Sequence, residues 1–267
     1  MSQRREVEAR LALYDDLSGI LAAMRSFAVA ELHRVTKREA AQQQVVRSLT
    51  LSLDDLAGSL LIQAEKQSAP PRKDIWLVIG SVRGFCGSFN EDVIRLWQDK
   101  SHQTGPVMLV GERLHGLVFD ECVSVQKISG ANGGLDAPVT IERILAAIEL
   151  LQGNEEFGLM ACIRDEQAAR CQRLWPLSAC SRRKEHPLPF TYSPLAEVAS
   201  GVAQQFLFHS LLALLLRSIR VENHMRLMQM ETALRHLERG GEELQRQRNR
   251  LRQEEIVEEI ELMVGRR

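Results

Sequence analysis

The sequence lacks the features that mark exported and membrane-spanning chains. Its first residues, MSQRREVEARLALYDD, carry charges every few positions and contain no apolar core segment, so we do not expect a signal peptide. A helix that crosses a bilayer needs roughly 20 apolar residues. The longest apolar candidate, Phe206–Leu216, is shorter than that and contains His209. We therefore predict that any contact with a membrane is indirect.

The sequence also has few aromatic residues and a net charge close to zero. Aromatic residues make up 5% of the chain, and the formal net charge is −1 although 26% of the residues are charged. A total charge this close to zero gives no reason to expect a nucleic acid or a charged membrane surface as a partner. Few aromatic residues, together with abundant Leu, Ala, Glu, Arg and Gln, favour long helices over a β-sandwich.

The chain has five cysteines and seven histidines, but neither type forms a recognisable site. The cysteines are Cys86, Cys122, Cys162, Cys171 and Cys180. None belongs to a CxxC motif or to a Cys/His pair at zinc-finger spacing, and the histidines form no HExxH motif. An odd, scattered set of cysteines predicts reduced thiols that serve as packing residues. The sequence thus predicts no metal and no cofactor.

Proline is absent from both ends of the chain, and both ends have a helical pattern. Residues 1–67 contain no proline, and none follows Pro194. In the first segment one column at heptad spacing contains Val7, Tyr14, Leu21, Ala28, Val35, Leu49 and Leu56, and an offset column contains Leu17, Met24 and Val45. This pattern predicts a long coiled-coil helix. Residues 195–267 predict a second one, in which a slip of register near Gly240 and Gly241 suggests a bend.

The middle of the chain, residues 74–194, alternates short apolar runs with helix-like segments. The runs at 75–80, 106–111, 157–163 and 172–177 are predicted strands, and the segments at 90–100, 112–119 and 140–151 are predicted helices. Strands that alternate with helices predict an α/β layer with a largely parallel sheet.

These segments predict a mixed α+β and α/β fold. A long antiparallel coiled coil is formed by the N-terminal helix, residues 1–67, and the C-terminal helix, residues 195–267. Residues 74–194 form a central Rossmann-like α/β domain. A single small domain cannot cover helices of this length, because about 60 helical residues extend about 90 Å. We therefore expect the two helices to cover each other.

The stretch VIGSVRGFCGSFNEDV, Val78–Val93, has the strand, glycine loop and helix of a phosphate-binding loop. Its spacing is neither GxGxxG nor GxxxxGK[ST], and it has no lysine that could meet a phosphate. A nucleotide-binding enzyme with helical arms therefore remains an alternative that the motif itself does not favour. A homodimeric coiled-coil adaptor or scaffold is a second alternative, since an imperfect heptad column can pair between chains as well as within one.

Three regions of the sequence resemble the gamma subunit of the F-type ATP synthase. Ile20–Ala28 resembles I-T-x-A-M-x-M-V-A, and Ile79–Asn90 resembles a strand followed by S-D-R-G-L-C-G-x-F-N. Glu222–Ala233 resembles E-x-x-x-R-M-x-A-M-x-x-A-T, and Asn249–Gly265 resembles N-x-x-R-Q-x-x-I-T-x-E-L-x-E-I-V-x-G. The motifs follow each other in family order and span nearly the whole chain.

The chain also departs from the family pattern. Val82 stands where the family has Asp before Arg-Gly. Asp16–Leu21 and Leu234–Leu237 differ from the family's N-T-x-K-I-T and Thr-x-Asn-Ala segments. These departures predict a divergent member, and we expect the gamma subunit of an alternate, N-type ATPase.

The resemblance implies a rotor shaft without catalytic residues, a cofactor or a nucleic-acid partner of its own. In this family the paired helices fill the centre of a hexamer of alpha and beta subunits, and the α/β domain lies beside the epsilon subunit and the c-ring. The resemblance implies that the chain couples transmembrane proton or sodium transport to ATP synthesis or hydrolysis at the beta subunits. It also implies a peripheral position on the cytoplasmic face of the bacterial inner membrane.

The resemblance further implies a set of subunit contacts. They are Met24, Arg83, Glu222, Arg226, Arg252, Gln253, Ile256 and Glu259. Among these, Arg252 and Gln253 would touch a loop of a beta subunit.

Overall fold

The computed structural model describes residues 3–64, 73–101, 105–117, 124–152, 157–176 and 190–265. Its elements are α1 (Gln3–Ala64), β1 (Lys73–Ile79), α2 (Phe89–Ser101), β2 (Val107–Val110), β3 (Val125–Ile128), α3 (Ala137–Gln152), β4 (Phe157–Arg164), β5 (Ala169–Trp175) and α4 (Leu195–Val264). The predicted fold class, two long helices with a central α/β domain between them in sequence, is confirmed.

The chain divides into two compact units, and each contains part of both long helices. The first unit consists of Met1–Ala30 and Arg226–Arg267, and the second of Glu31–Met225. The division of the chain at 1–67, 74–194 and 195–267 stays a prediction.

The second unit contains a five-stranded sheet with the order β3-β2-β1-β4-β5. Strand β1 is parallel to both β2 and β4, and β2 is parallel to β3. Strand β5 runs antiparallel to β4 and follows it after a short turn, which the backbone closes with a bond from Asp165 N to Ala168 O of 3.0 Å. Parallel neighbours need long crossovers, and α2 and α3 supply two of them.

The sheet is covered on both faces because alternate residues of a strand point to opposite sides. On one face Ile75, Leu77 and Ile79 of β1 pack in a core with apolar residues of α3 and α4, and with Val35 of α1. On the other face Trp76 and Val78 pack against α2, whose contribution is Val93, Ile94 and Trp97. A continuous apolar run is what a strand buried on both faces requires.

In the sheet region one predicted helix was wrong and one strand was not predicted. Residues 112–117 form turns instead of a helix, and residues 118 and 119 of that prediction lie outside the described part of the chain. The turn is closed locally, because Leu114 N donates to Gly111 O and Leu117 N to Leu114 O. Strand β3 was missed, because its four residues, VQKI, contain two polar side chains at the edge of the sheet.

The heptad column of α1 lies on its buried face, but the predicted offset column was wrong. Val7, Ala28, Val35 and Leu56 are buried, whereas Leu17 and Val45 are exposed. The positions that share the buried face lie four residues after the first column and include Leu11, Leu32, Glu39, Val46 and Leu53. This second column is hard to recognise in the sequence, because the buried carboxylate of Glu39 interrupts its apolar pattern.

The prediction that every cysteine is a reduced packing residue was wrong for two of them. Cys162 of β4 and Cys171 of β5 are bonded to each other, with their Cα atoms 4.2 Å apart. They are direct cross-strand partners in the antiparallel register, which their spacing in sequence does not reveal. Cys86 is buried and forms no disulfide, as predicted, and Cys122 and Cys180 lie outside the described residues.

Helix α4 is more apolar than the sequence analysis allowed. Among the described residues it contains one 18-residue window with a mean hydropathy of 1.5, which by length and composition alone could cross a membrane. The same helix places Leu211, Leu215 and Ile219 in the core of the second unit. Packing against the sheet accounts for the apolar content of these three positions, and 33% of the window is buried inside the protein. One such window is by itself weak evidence for a membrane span.

Helix α4 continues without interruption through Gly240 and Gly241, where a bend was expected. A Cβ built on Gly240 would lie 2.7 Å from Cε2 of Tyr14, whereas one on Gly241 would have no atom within 4 Å. Helix α1 therefore approaches α4 more closely at Gly240 than at Gly241. The slip of register reflects close helix packing in the first unit.

Candidate functional site

In the first unit the two long helices pair in opposite directions. Arg4 donates from its NH1 to Glu255 Oε2 at 2.9 Å, and Tyr14 lies against Gly240. The partner number falls as the number in α1 rises, so the pairing is antiparallel. Val7, Ala28 and Met230 are buried in this unit. The hydrogen bond with Glu255 raises the pKa of the Arg4 guanidinium, as does the neighbouring Glu8.

Four of the predicted contact residues lie together on the exposed end of α4. Arg252, Ile256 and Glu259 lie above one another because they are spaced at i, i+4 and i+7. Gln253 lies beside them, because it is three residues before Ile256. Ile256 is 46% exposed, and Ile260 and Met263 extend the same face with exposed apolar side chains. An exposed face with several large apolar residues is typical of a surface that contacts a partner.

The charges near this end have local partners as well. Arg250 donates from Nε to Glu254 Oε1 at 2.8 Å, one helical turn away. Both side chains are at least half exposed, so the pair contributes little to stability. The last turn of α4 contains no basic residue. Acidic residues there oppose the helix dipole, and a partner surface can compensate for that.

Of the other four predicted contacts, only Arg83 is exposed. In the first unit Met24 is half-buried and Arg226 is buried, with 5% of its surface exposed. In the second unit Glu222 is equally buried and Arg83 is exposed. The structure brings Arg83 and Glu222 together, because the Arg83 backbone N–H donates to Glu222 Oε1 at 3.4 Å. Buried residues of this kind hold the fold, and only an exposed face can meet another chain directly.

The glycine loop between β1 and α2 is held by a small buried network. The Ser81 backbone N–H donates to Asn90 Oδ1 at 2.9 Å, and Asn90 Nδ2 donates to Ser81 Oγ at 2.9 Å. The Cys86 thiol donates to the same hydroxyl at 3.4 Å. These polar groups therefore satisfy one another within the loop, and the Ser81 N–H is not available to a phosphate.

The same loop packs against α4. Cys86 and Phe89 form an apolar cluster with Val221, and Met225 lies against it. Phe85 has a φ of 62°, a left-handed conformation that is unusual for a residue with a side chain. The loop thus serves as an attachment to the helix. Among the described residues no group of three His, Cys, Asp or Glu side chains is arranged to hold a metal.

The sequence analysis missed a set of ion pairs that connects the β4–β5 turn with both long helices. Arg217 of α4 donates to both carboxylate oxygens of Asp165, at 3.0 and 2.7 Å. Arg220 of α4 donates to Glu39 of α1 and to Glu166 of the turn. The only signal in the sequence is that Glu39 falls four residues after Val35, on the buried face of α1.

The environment of this set favours the charged forms. Burial acts to raise the pKa of the Asp165 carboxyl, but the Glu166 backbone N–H and the Arg217 guanidinium outweigh it and hold the pKa below its ordinary value. Burial acts to lower the pKa of Arg220, and the hydrogen bonds with Glu166 and Glu39 overcome it and raise the pKa. The hydrogen bond from Arg220 lowers the pKa of Glu166. All three groups are therefore charged near neutral pH.

A family model described as ATP synthase matches residues 3–265. The chain belongs to this ATP synthase family. The resemblance to the gamma subunit is thereby confirmed, and the N-type subtype stays a prediction. A protein of Moorella thermoacetica named ATP synthase gamma chain is 24% identical over 284 residues, which cover 99% of this chain and 98% of that protein. The protein of the same name from Methylobacterium nodulans is 24% identical over 293 residues, 99% of each chain.

Solved structures of ATP synthases share the fold. A chain in the cryo-EM structure of the Euglena gracilis mitochondrial ATP synthase rotor, rotational state 1, superposes with a TM-score of 0.66 at 17% identity. The match covers 95% of this chain and 98% of that chain. A central stalk and c-ring structure of the Tetrahymena thermophila mitochondrial ATP synthase contains a chain with a TM-score of 0.58, covering 80% of this ATP synthase family member and 99% of that chain. Long helices around a small mixed sheet are thus the shared architecture.

Proposed function

We propose that this chain is the gamma subunit, the central-stalk rotor shaft, of an ATP synthase complex. It couples transmembrane proton or sodium transport to ATP synthesis or hydrolysis at the beta subunits. The observation that carries the proposal is the antiparallel helix pair of the first unit together with the exposed face at the end of α4. A shaft needs a stiff element with unlike faces, because each face must favour a different state of the catalytic site that it meets.

The proposed partners are a hexamer of alpha and beta subunits, an epsilon subunit and a c-ring. The face of Arg252, Gln253, Ile256 and Glu259 meets the hexamer, with Arg252 and Gln253 against a loop of a beta subunit. Met24, Arg83, Glu222 and Arg226 complete the proposed contacts, the buried ones by holding neighbouring backbone in place. The complex lies on the cytoplasmic face of a bacterial inner membrane, and this chain meets the membrane only through the complex.

The chain supplies no catalytic residue and no cofactor site in this proposal. The glycine loop supports this part, because its polar groups bind each other and its apolar side packs on α4. The homodimeric adaptor is disfavoured, because the heptad column of α1 meets α4 of the same chain in the first unit, where Val7, Ala28 and Met230 are buried.

The proposal is tested by assembly and coupling. The chain should co-purify with alpha, beta and epsilon subunits, and the complex should pump ions when it hydrolyses ATP. A complex that keeps full ion-coupled ATP hydrolysis without this chain would refute the proposal. A pure chain that sediments as a stable homodimer and ignores those subunits would favour the adaptor instead.

The contact face is tested by substituting Arg252→Ala together with Gln253→Ala. We expect coupled turnover to fall roughly tenfold, as the loss of contacts worth about 1.4 kcal/mol would cause. The matched control is Arg250→Ala with Gln247→Ala, which removes the same two exposed residue types from the opposite side of α4. Neither double variant should shift thermal unfolding by more than about 0.5 kcal/mol, because both remove exposed side chains. Equal turnover in both variants would contradict the contact role.

A further inference from the structure

We propose that the β4–β5 turn is a clamp that locks the sheet to both long helices and transmits torque between them. The clamp consists of Glu39, Asp165, Glu166, Arg217 and Arg220, all in the second unit. The proposal rests on the proposed function as a rotor subunit, since only a rotor has to pass a twisting force from one of its parts to another.

Arg217 supplies the more directional half of the clamp. Its Nε and one terminal nitrogen donate in parallel to the two oxygens of Asp165, at 3.0 and 2.7 Å. A forked arrangement of this kind fixes both the distance and the relative angle of the two groups. The sheet, through its turn, is thereby held at one rotational setting on α4.

Arg220 supplies the half that joins three elements. Its Nε donates to Glu39 of α1 and its NH1 donates to Glu166 of the turn, so one guanidinium of α4 bridges both. Glu39 is buried, with 4% of its surface exposed, and also accepts a hydrogen bond from Gln43 at 3.0 Å. The bridge therefore connects the sheet to α1 as well as to α4.

The turn itself is braced from within. Asp165 accepts the Glu166 backbone N–H at 2.8 Å, and its backbone N–H is bonded to Ala168 O at 3.0 Å. Arg170 Nε lies 3.3 Å from Asp165 Oδ2, and Arg164 donates to Asp165 O at 2.7 Å. A turn with this many internal bonds moves as one piece with the strands, so a force on the sheet reaches the clamp undiminished.

Apolar packing cannot do the same task. The core beneath the sheet includes Leu211, Leu215 and Ile219 of α4, and it resists separation of the sheet from the helix. Hydrophobic contacts have no preferred direction, so they resist sliding and rotation weakly. A buried ion pair adds little net stability compared with apolar residues of the same size, but it specifies geometry. The buried Glu39 therefore indicates a need for a fixed angle.

The test compares the clamp with an ion pair of the same kind that does not join sheet and helix. The clamp variant carries Arg217→Met and Arg220→Met, which keep an unbranched apolar side chain and remove both guanidinium groups. The control variant carries Arg173→Met, which removes a forked pair with Asp74, at 2.8 and 2.9 Å, within the sheet between β5 and β1. Both variants are assembled into the complete membrane-bound ATP synthase complex.

Two measurements are made on each complex. The first is the number of ions pumped per ATP hydrolysed, counted per assembled complex so that a loss of assembly does not enter it. The second is hydrogen exchange of the amides in the β4–β5 turn. We expect the clamp variant to exchange about tenfold faster in the turn, the factor that corresponds to ~1.4 kcal/mol, and to pump fewer ions per ATP. The control should pump like the wild type.

A milder variant, Arg220→Lys, keeps the proposal testable if the complex with the clamp variant does not assemble. Lysine keeps the charge but cannot fork between two carboxylates, so this variant should lie between the wild type and the clamp variant in ions per ATP. Unchanged pumping ratios in the clamp variant and in Arg220→Lys would overturn the clamp while leaving the rotor function intact. If the wild-type complex itself does not pump, the proposed function fails instead, so the two failures are distinguishable.

Discussion

The neighbouring glycines of α4 offer a sharp test of how closely the two helices pack in the first unit. In an exposed helix, Gly→Ala stabilises by about 0.8–1 kcal/mol, because alanine restricts the unfolded chain and suits the helix better. A methyl group on Gly241 meets no atom within 4 Å, so Gly241→Ala should stabilise the helix by that amount. A methyl group on Gly240 would lie 2.7 Å from the ring of Tyr14, so Gly240→Ala must displace that ring.

The expected difference between the two variants follows from the clash alone. Helix propensity contributes equally to both and cancels. Overpacking in a close contact costs roughly 1–3 kcal/mol, so Gly240→Ala should be less stable than Gly241→Ala by about that much. Adding Tyr14→Leu removes the ring and should bring the two variants together, which a double-mutant cycle measures as a coupling energy.

The assay is hydrogen exchange of the α4 amides on either side of the two glycines, because local opening of the helix pair is what the substitutions change. Faster exchange in Gly240→Ala than in Gly241→Ala, cured by Tyr14→Leu, is the expected pattern. If Gly240→Ala slows exchange as much as Gly241→Ala while Tyr14 is present, the close antiparallel packing described for the first unit is wrong.

Two further predictions concern the second unit. Asp165→Asn should lower the free energy of unfolding above pH 5, because a lowered folded-state pKa means that the fold stabilises the charged carboxylate. The difference in this free energy from the wild type should close as the pH falls below 3.8, the ordinary pKa of Asp165. Denaturant unfolding at several pH values measures the difference, and one that persists in acid would contradict the prediction. Asn90→Ala should cost about 1–3 kcal/mol, because it leaves the buried Ser81 N–H without its acceptor and removes one of the donors to the Ser81 hydroxyl. Calorimetry measures the change in the free energy of unfolding, and a loss of less than about 0.5 kcal/mol would show that the network is dispensable.

The long elements could be predicted from the sequence because their signals repeat many times. The column that runs from Val7 to Leu56 recurs over seven heptads, so a few polar interruptions do not hide it. The strand at Ile75–Ile79 is equally plain, because it is buried on both faces and contains only apolar residues. By contrast, β3 has four residues and lies at the edge of the sheet, where Gln126 and Lys127 are tolerated.

Contacts that depend on how separate elements pack could not be predicted in the same way. The bond between Cys162 and Cys171 depends on the register of two antiparallel strands, and a shift by one residue would separate the thiols. The clamp depends on a turn that meets two helices from opposite ends of the sequence. Glu39 and Arg220 are 181 positions apart, and the sequence around either residue gives no indication of its partner. The proposed contact of Arg252 rests on the family motif and not on any local pattern in the sequence.

The way α4 covers the sheet has a consequence for synthesis of the chain. Strand β5 ends at Trp175, but one face of the sheet is completed by Leu211, Leu215 and Ile219 of α4. On a ribosome the strands therefore emerge well before the helix that buries them, and the apolar face of the sheet stays open to solvent during that interval. Closing it requires contacts between distant residues, which form slowly. If the chain were released before residue 219 is made, one apolar face of the sheet would stay partly exposed and prone to aggregation. Helix α4 therefore also completes the burial of the sheet in the second unit.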